Sequence, residues 1–114
     1  MKTKYKIQIN LINKSKYKAD FDLIMDLTAE KILLLIFANN FSDGIENFLL
    51  EQKNHINEKD DIYEIEITLT NCIDGYSIRN ISNSLDLINM KNSRLYKPIL
   101  MLISKCFETL ENHE

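Results

Sequence analysis

Tyr5-x-Ile7-x-Ile9-x-Leu11-x-Asn13 returns 58 positions later as Tyr63-x-Ile65-x-Ile67-x-Leu69-x-Asn71, the same five residue types at the same spacing. The apolar members alternate with Lys4, Lys6, Gln8 and Asn10 in the first block and with Glu64, Glu66, Thr68 and Thr70 in the second. Period-2 alternation marks a strand with one buried face. A chain carrying two such blocks must bury both faces in a sheet. The 17 isoleucines among 114 residues account for the apolar matches, but less readily for the shared Tyr and Asn. An internal duplication, with half-repeats 4–54 and 62–112, is therefore an expectation, although the helical segments of the halves show nothing comparable.

Tyr17, Ala19, Phe21, Leu23, Met25 and Leu27 form another alternating run, against Lys18, Asp20, Asp22, Ile24 and Asp26. Both apolar sets of the first two strands fall on odd numbers. A hairpin that keeps them on one face needs an odd connection, and Lys14-Ser15-Lys16 supplies it. In that register Lys4 faces Asp26, and Lys6 lies beside Asp22 and Ile24. Residues 1–18 carry six lysines and no acid, whereas 19–114 carry eight bases and all 17 acids. A nucleic-acid-binding arm is one reading of that asymmetry. Neutralisation by the neighbouring strand is the preferred one, so nucleic acid is disfavoured as a partner. Further on, Asp74-Gly75 predicts a two-residue type I′ turn that pairs Ile73 with Tyr76 and Asn71 with Ile78.

Thr28 precedes Ala29-Glu30-Lys31 as an N-cap, with an acid in the first turn where the helix dipole favours it. A helix over about 29–39 follows, broken by Asn39-Asn40. Ser42-Asp43-Gly44 opens a second over about 44–54, with Ile45, Phe48 and Leu49 at helical spacing. Ser82 or Ser84 caps a short helix through about Lys91. A final helix carries Ile99, Leu102, Ile103, Cys106 and Leu110 on one stripe, with Pro98 in its first turn and its start near Tyr96. The expected fold is a single α+β domain over 1–114 in ββαα-ββαα order. Its four-stranded, mostly antiparallel sheet has helices packed on one face.

Several chemistries lack their residues. His55 and His113 are the only histidines, and neither has a nucleophile or metal-ligand partner at useful spacing. Cys72 and Cys106 are far apart, without CxxC spacing, and read as small hydrophobes in a reducing compartment. Gly44 and Gly75 are the only glycines, too few for a phosphate-cradling loop. No cofactor is expected, and no enzymatic activity. The longest apolar run, Ile32 to Ala38, is far short of the ~20 residues that span a bilayer. The expectation is a cytoplasmic protein without membrane contact. Abundant Ile, Asn and Lys against three Ala and two Gly mark an AT-rich genome, so the cell is bacterial or phage-infected.

Carboxylates carry the main alternative. Asp20, Asp22, Glu64 and Glu66 stand on adjacent strands, and hard oxygen ligands so placed hold Mg²⁺ in nucleic-acid-processing enzymes. The lysine that usually accompanies such acids is absent, since Thr68 occupies the position two beyond Glu66. Asp20, Asp22, Asp26, Glu64 and Glu66 together also make an acidic face. Its pitch of about 6.6–6.8 Å compares with that of successive phosphates, which would suit a blocker of a basic groove.

The feature that most favours a function is apolar excess. Ile32-Leu33-Leu34-Leu35-Ile36-Phe37-Ala38 is apolar all round a helix, and Ile99 to Ile103 nearly so. A helix on a two-layer domain needs one apolar stripe. The surplus predicts an interface formed by Leu33, Leu34, Phe37, Phe48, Leu100 and Met101. The expected function is thus a non-catalytic protein-binding module whose partner is another protein, in the first instance a second copy in a homodimer. Small size and AT-rich composition suit a phage- or mobile-element-encoded inhibitor of anti-defence or immunity type. The alternatives are the metal-dependent enzyme above and a nucleic-acid-binding regulator.

Overall fold

In a computed structural model of the chain, residues 4–14, 18–38, 47, 51, 62–83 and 92–112 are described, with the backbone alone for 18–22, 38 and 92–96. Among the described residues four strands and two continuous helices can be bounded, in order: β1 (Lys4–Asn13), β2 (Lys18–Thr28), α1 (Ala29–Ala38), β3 (Tyr63–Asn71), β4 (Ser77–Ile81) and α2 (Asn92–Glu111). The strands form one antiparallel sheet in the order β2-β1-β3-β4. The two alternating blocks are therefore the central pair. The α+β class and the antiparallel sheet follow the sequence expectation.

The odd-numbered apolar residues of β1 and β3 are buried under the helices, with Ile7, Ile9, Ile65, Ile67 and Leu69 fully enclosed. Lys4 and Lys6 on the opposite face are exposed, while Gln8, Asn10, Glu64, Glu66, Thr68 and Thr70 are half-buried. The β1–β3 register is unchanged by a shift of 58 residues. Tyr5 pairs with Asn71 and Tyr63 with Asn13, about a centre at Ile9 and Ile67. The side chains break this symmetry. Asn13, itself buried, donates to the Tyr63 hydroxyl at 3.4 Å. Asn71 instead accepts from the Ile73 N–H at 2.9 Å.

Both hairpins depart from the expected register. Lys4 faces Thr28 and Lys6 faces Asp26, a slip of two residues. Leu11 pairs with Phe21 but Ile12 with Ala19, which makes Asp20 the extra residue of a β-bulge. The Lys14 N–H bonds to the Ile62 carbonyl at 2.8 Å, so Lys14 still belongs to the β1–β3 ladder and a three-residue connection is too short. In the second hairpin Asn71, rather than Ile73, faces Tyr76, its N–H reaching the Tyr76 carbonyl at 2.9 Å. The connection is the four-residue loop 72–75. The Asp74 carboxylate accepts from the Tyr76 N–H at 2.8 Å, and Gly75 supplies a positive φ (76°) that helps close it.

Thr28 caps α1 as expected, its hydroxyl oxygen accepting from the Lys31 N–H at 3.3 Å. Helix α1 lies beside β2 and against α2, while α2 covers β3 and β4. The predicted stripe of α2 is entirely buried. However, α2 begins at Asn92, not near Tyr96, and Pro98 is inside it. That proline removes the helical bond to the Arg94 carbonyl. The Ser82 hydroxyl oxygen accepts from the Ile65 N–H at 2.9 Å, and the short helix that Ser82 or Ser84 is expected to cap lies outside the described residues. So does most of the 44–54 helix, of which Asn47 and Glu51 are helical.

Candidate functional site

Helix α1 divides its apolar residues by angle. Ile32 and Leu35 are buried and Ile36 half-buried, which one stripe toward the sheet and α2 accounts for. The three expected α1 interface residues face water. Leu33 is 39% exposed, Leu34 58% and Phe37 80%. Leu33 and Phe37, four apart, line a cleft of about 270 Å³ between α1 and α2. Ile36 and Phe107 form its apolar part, and Glu108 and Glu111 supply carboxylates. An apolar cleft edged by acids recognises an apolar side chain that carries a base nearby.

The structure separates Met101 from this group. It is exposed, and with Ile81, Pro98 and Lys105 it lines a second cleft of about 280 Å³ that shares no residue with the first. Leu100 is half-buried against the core. Phe48 lies outside the described residues. The expected six-residue interface is thus three residues on α1, one on the far flank of α2, one largely internal, and one not described.

Among the carboxylates, Glu66 is engaged twice. It accepts from Asn10 Nδ2 at 2.9 Å and pairs with the Arg79 guanidinium at 3.6 Å. Glu64 pairs with Lys14 at 3.3 Å. Asp22 and Glu66 are both register partners of Asn10, on opposite sides of it, so two inter-strand spacings, about 9.5 Å, separate their backbones. Asp20 is the bulge residue, and Asp26 is exposed opposite Lys6. Among the described residues no three His, Cys, Asp or Glu side chains are grouped to hold a metal ion. None of the helices described is long and apolar enough to cross a membrane.

Several residues of these sites carried no sequence signal strong enough to single them out. Ser104, Phe107 and Glu111 follow one another at i, i+3 and i+7 along the α1-facing flank of α2. That spacing is a usable signal only once the position of α1 is known. Cys106, buried as expected, receives a hydrogen bond from Asn80 Nδ2 at 3.2 Å, and burial pushes its thiol pKa up. Cys72 departs from the expectation of burial and is exposed in the β3–β4 loop, where Ile73 and Tyr76 are exposed too. Comparison with protein-family models, curated proteins and solved structures finds no match to this chain.

Proposed function

We propose that the protein is a non-catalytic binding module that covers the outer face of α1 with another protein chain, in the first instance a second copy of itself. The supporting observation is Phe37, 80% exposed beside Leu34 at 58%. Each large apolar side chain gains ~1.5–3 kcal/mol on full burial, before the cost of association is subtracted. Three on one helix face supply a small interface with a central anchor. A small inhibitor of anti-defence or immunity type would use such a face against its target, and the AT-rich composition supports a phage or mobile-element source. The metal-dependent enzyme draws less support, because Glu64 and Glu66 already hold Lys14 and Arg79.

Solution mass across a dilution series tests the reading. The wild type should approach twice 13.4 kDa at high concentration and fall toward 13.4 kDa on dilution. Phe37→Glu should stay at the lower mass throughout. A wild type that remains monomeric at every concentration removes the second copy as the occupant.

A further inference from the structure

Strand β4 ends the sheet, and its hydrogen-bonding pattern defines what its outer side offers. The Asn71 N–H reaches the Tyr76 carbonyl and the Ser82 N–H the Ile65 carbonyl, each at 2.9 Å. Pairs in an antiparallel ladder alternate between bonded and non-bonded. Tyr76, Ile78, Asn80 and Ser82 therefore turn their backbone groups toward β3. Ser77, Arg79 and Ile81 turn theirs outward, where no further strand lies among the described residues. The register from Thr70–Ser77 to Glu66–Ile81 contains no bulge and β4 no proline, two of the usual obstacles to a further strand. The other edge, β2, carries the bulge at Asp20.

Beside this edge is the second cleft, between the end of β4 at Ile81, Ser82 and Asn83 and the Pro98–Lys105 flank of α2. Met101 is 53% exposed there, while Ile81, 46% exposed at the strand end, shares the face of Arg79 by alternation. Two cations flank the edge. Arg79 lies on the open sheet face with its side chain 65% exposed, and its contact with Glu66 at 3.6 Å leaves donors of its five-donor guanidinium for a second carboxylate. Lys105 is exposed on the helix side of the cleft.

We propose that the β4 edge receives an extended segment of a different protein as a fifth strand, with acidic residues on the open face and apolar residues on the cleft side. Backbone bonds to Ser77, Arg79 and Ile81 supply the pairing, and the cleft takes alternate side chains. Arg79 selects the acids on the open face. A second copy of this chain fits poorly, since two β4 strands paired over their full length would set Arg79 against Arg79, like charges directly opposite.

The test uses the full chain and a fluorescein-labelled peptide of alternating glutamate and valine, about eight residues long, roughly the reach of a strand. Anisotropy should show saturable binding for this peptide and none for its lysine–valine counterpart. Ile81→Pro deletes one outward N–H while sparing the ladder to β3, a position where an edge strand tolerates proline. Its binding should weaken about tenfold, the loss of roughly one hydrogen bond. Arg79→Glu should weaken binding as well, and Phe37→Glu should leave it unchanged, which separates this surface from the α1 face. Amide exchange should slow at Arg79 and Ile81 on peptide addition. Absence of saturable binding, equal binding of the lysine–valine peptide, or undiminished binding by Arg79→Glu overturns the proposal. Protection of Arg79 and Ile81 at high protein concentration without peptide overturns it in favour of a second copy. If Ile81→Pro does not fold, Arg79→Glu and the amide exchange decide.

Discussion

The Tyr5 hydroxyl donates a hydrogen bond to the Glu111 carboxylate, joining the start of the first strand to the last turn of the last helix. Burial, and then the Glu111 carboxylate that accepts this proton, push the Tyr5 pKa up to about 12 from its ordinary 10.0. The folded state thus holds the neutral phenol more firmly than the unfolded chain does. The resulting stability is complete below the unfolded value and is lost as pH rises from about 10 to about 12. Tyr5→Phe keeps the edge-to-face contact with Phe107, whose ring centroid is 5.5 Å away, and removes only the hydroxyl. Urea unfolding at neutral pH should show a loss of ~1–2 kcal/mol, as for one hydrogen bond to a charged group. The variant should also lose less stability than the wild type between pH 10 and 12. Parallel pH profiles would refute the assignment.

Thr28 joins β2 to α1 and caps the α1 N-terminus through the Lys31 N–H. Thr28→Ala should cost about 1 kcal/mol, while Thr28→Ser or Thr28→Asp should lose a few tenths at most. The ordering of the three variants in chemical denaturation checks the cap. Equal losses in all three would place the effect in β2, where Thr28 pairs with Lys4.

How much of this was legible in sequence depends on how local the cause is. The Thr28 cap, the central strands and the buried stripe of α2 follow from spacing within a few residues, and they are found where expected. The hairpin registers are not of that kind. Asp20 bulges and Lys14 reaches Ile62 because β1 must serve β2 and β3 at once, which neither strand shows alone. Pro98 misled for a related reason. The rule for proline at a helix start is a propensity, and the burial of Ile99, Leu102 and Ile103 outweighs one lost helical bond. At the candidate site, the sequence revealed that α1 has apolar residues to spare. Which of them remain exposed depends on where α2 lies.

That division can be measured on α1 itself. Ile32 is fully buried, so Ile32→Ala should cost about 2–4 kcal/mol in transfer and cavity energy. Phe37→Ala should change the stability of the monomer by at most about 0.5 kcal/mol. If a second copy covers Phe37, the wild-type melting temperature rises with protein concentration, and Phe37→Ala flattens that dependence. A loss for Phe37→Ala as large as that for Ile32→Ala in dilute solution would mean that the phenyl ring is internal and α1 has no free face.

The two thiols should differ sharply in reactivity. The thiolate is the attacking species, so exposure and a low pKa favour modification. Cys72 is exposed in the β3–β4 loop, while Cys106 is enclosed against β3 and β4 with its pKa raised by burial. An aromatic disulfide reagent should titrate one thiol per folded chain promptly and the second only as the chain unfolds. Cys72→Ser should abolish the prompt phase. Asn80→Ala withdraws the hydrogen bond to Cys106 Sγ, which favours the thiolate, but leaves the burial in place. The slow phase should therefore stay tied to unfolding, quickening only as far as that variant is less stable. Two prompt thiols in the wild type would mean that α2 opens from the sheet far more often than its fully buried stripe implies.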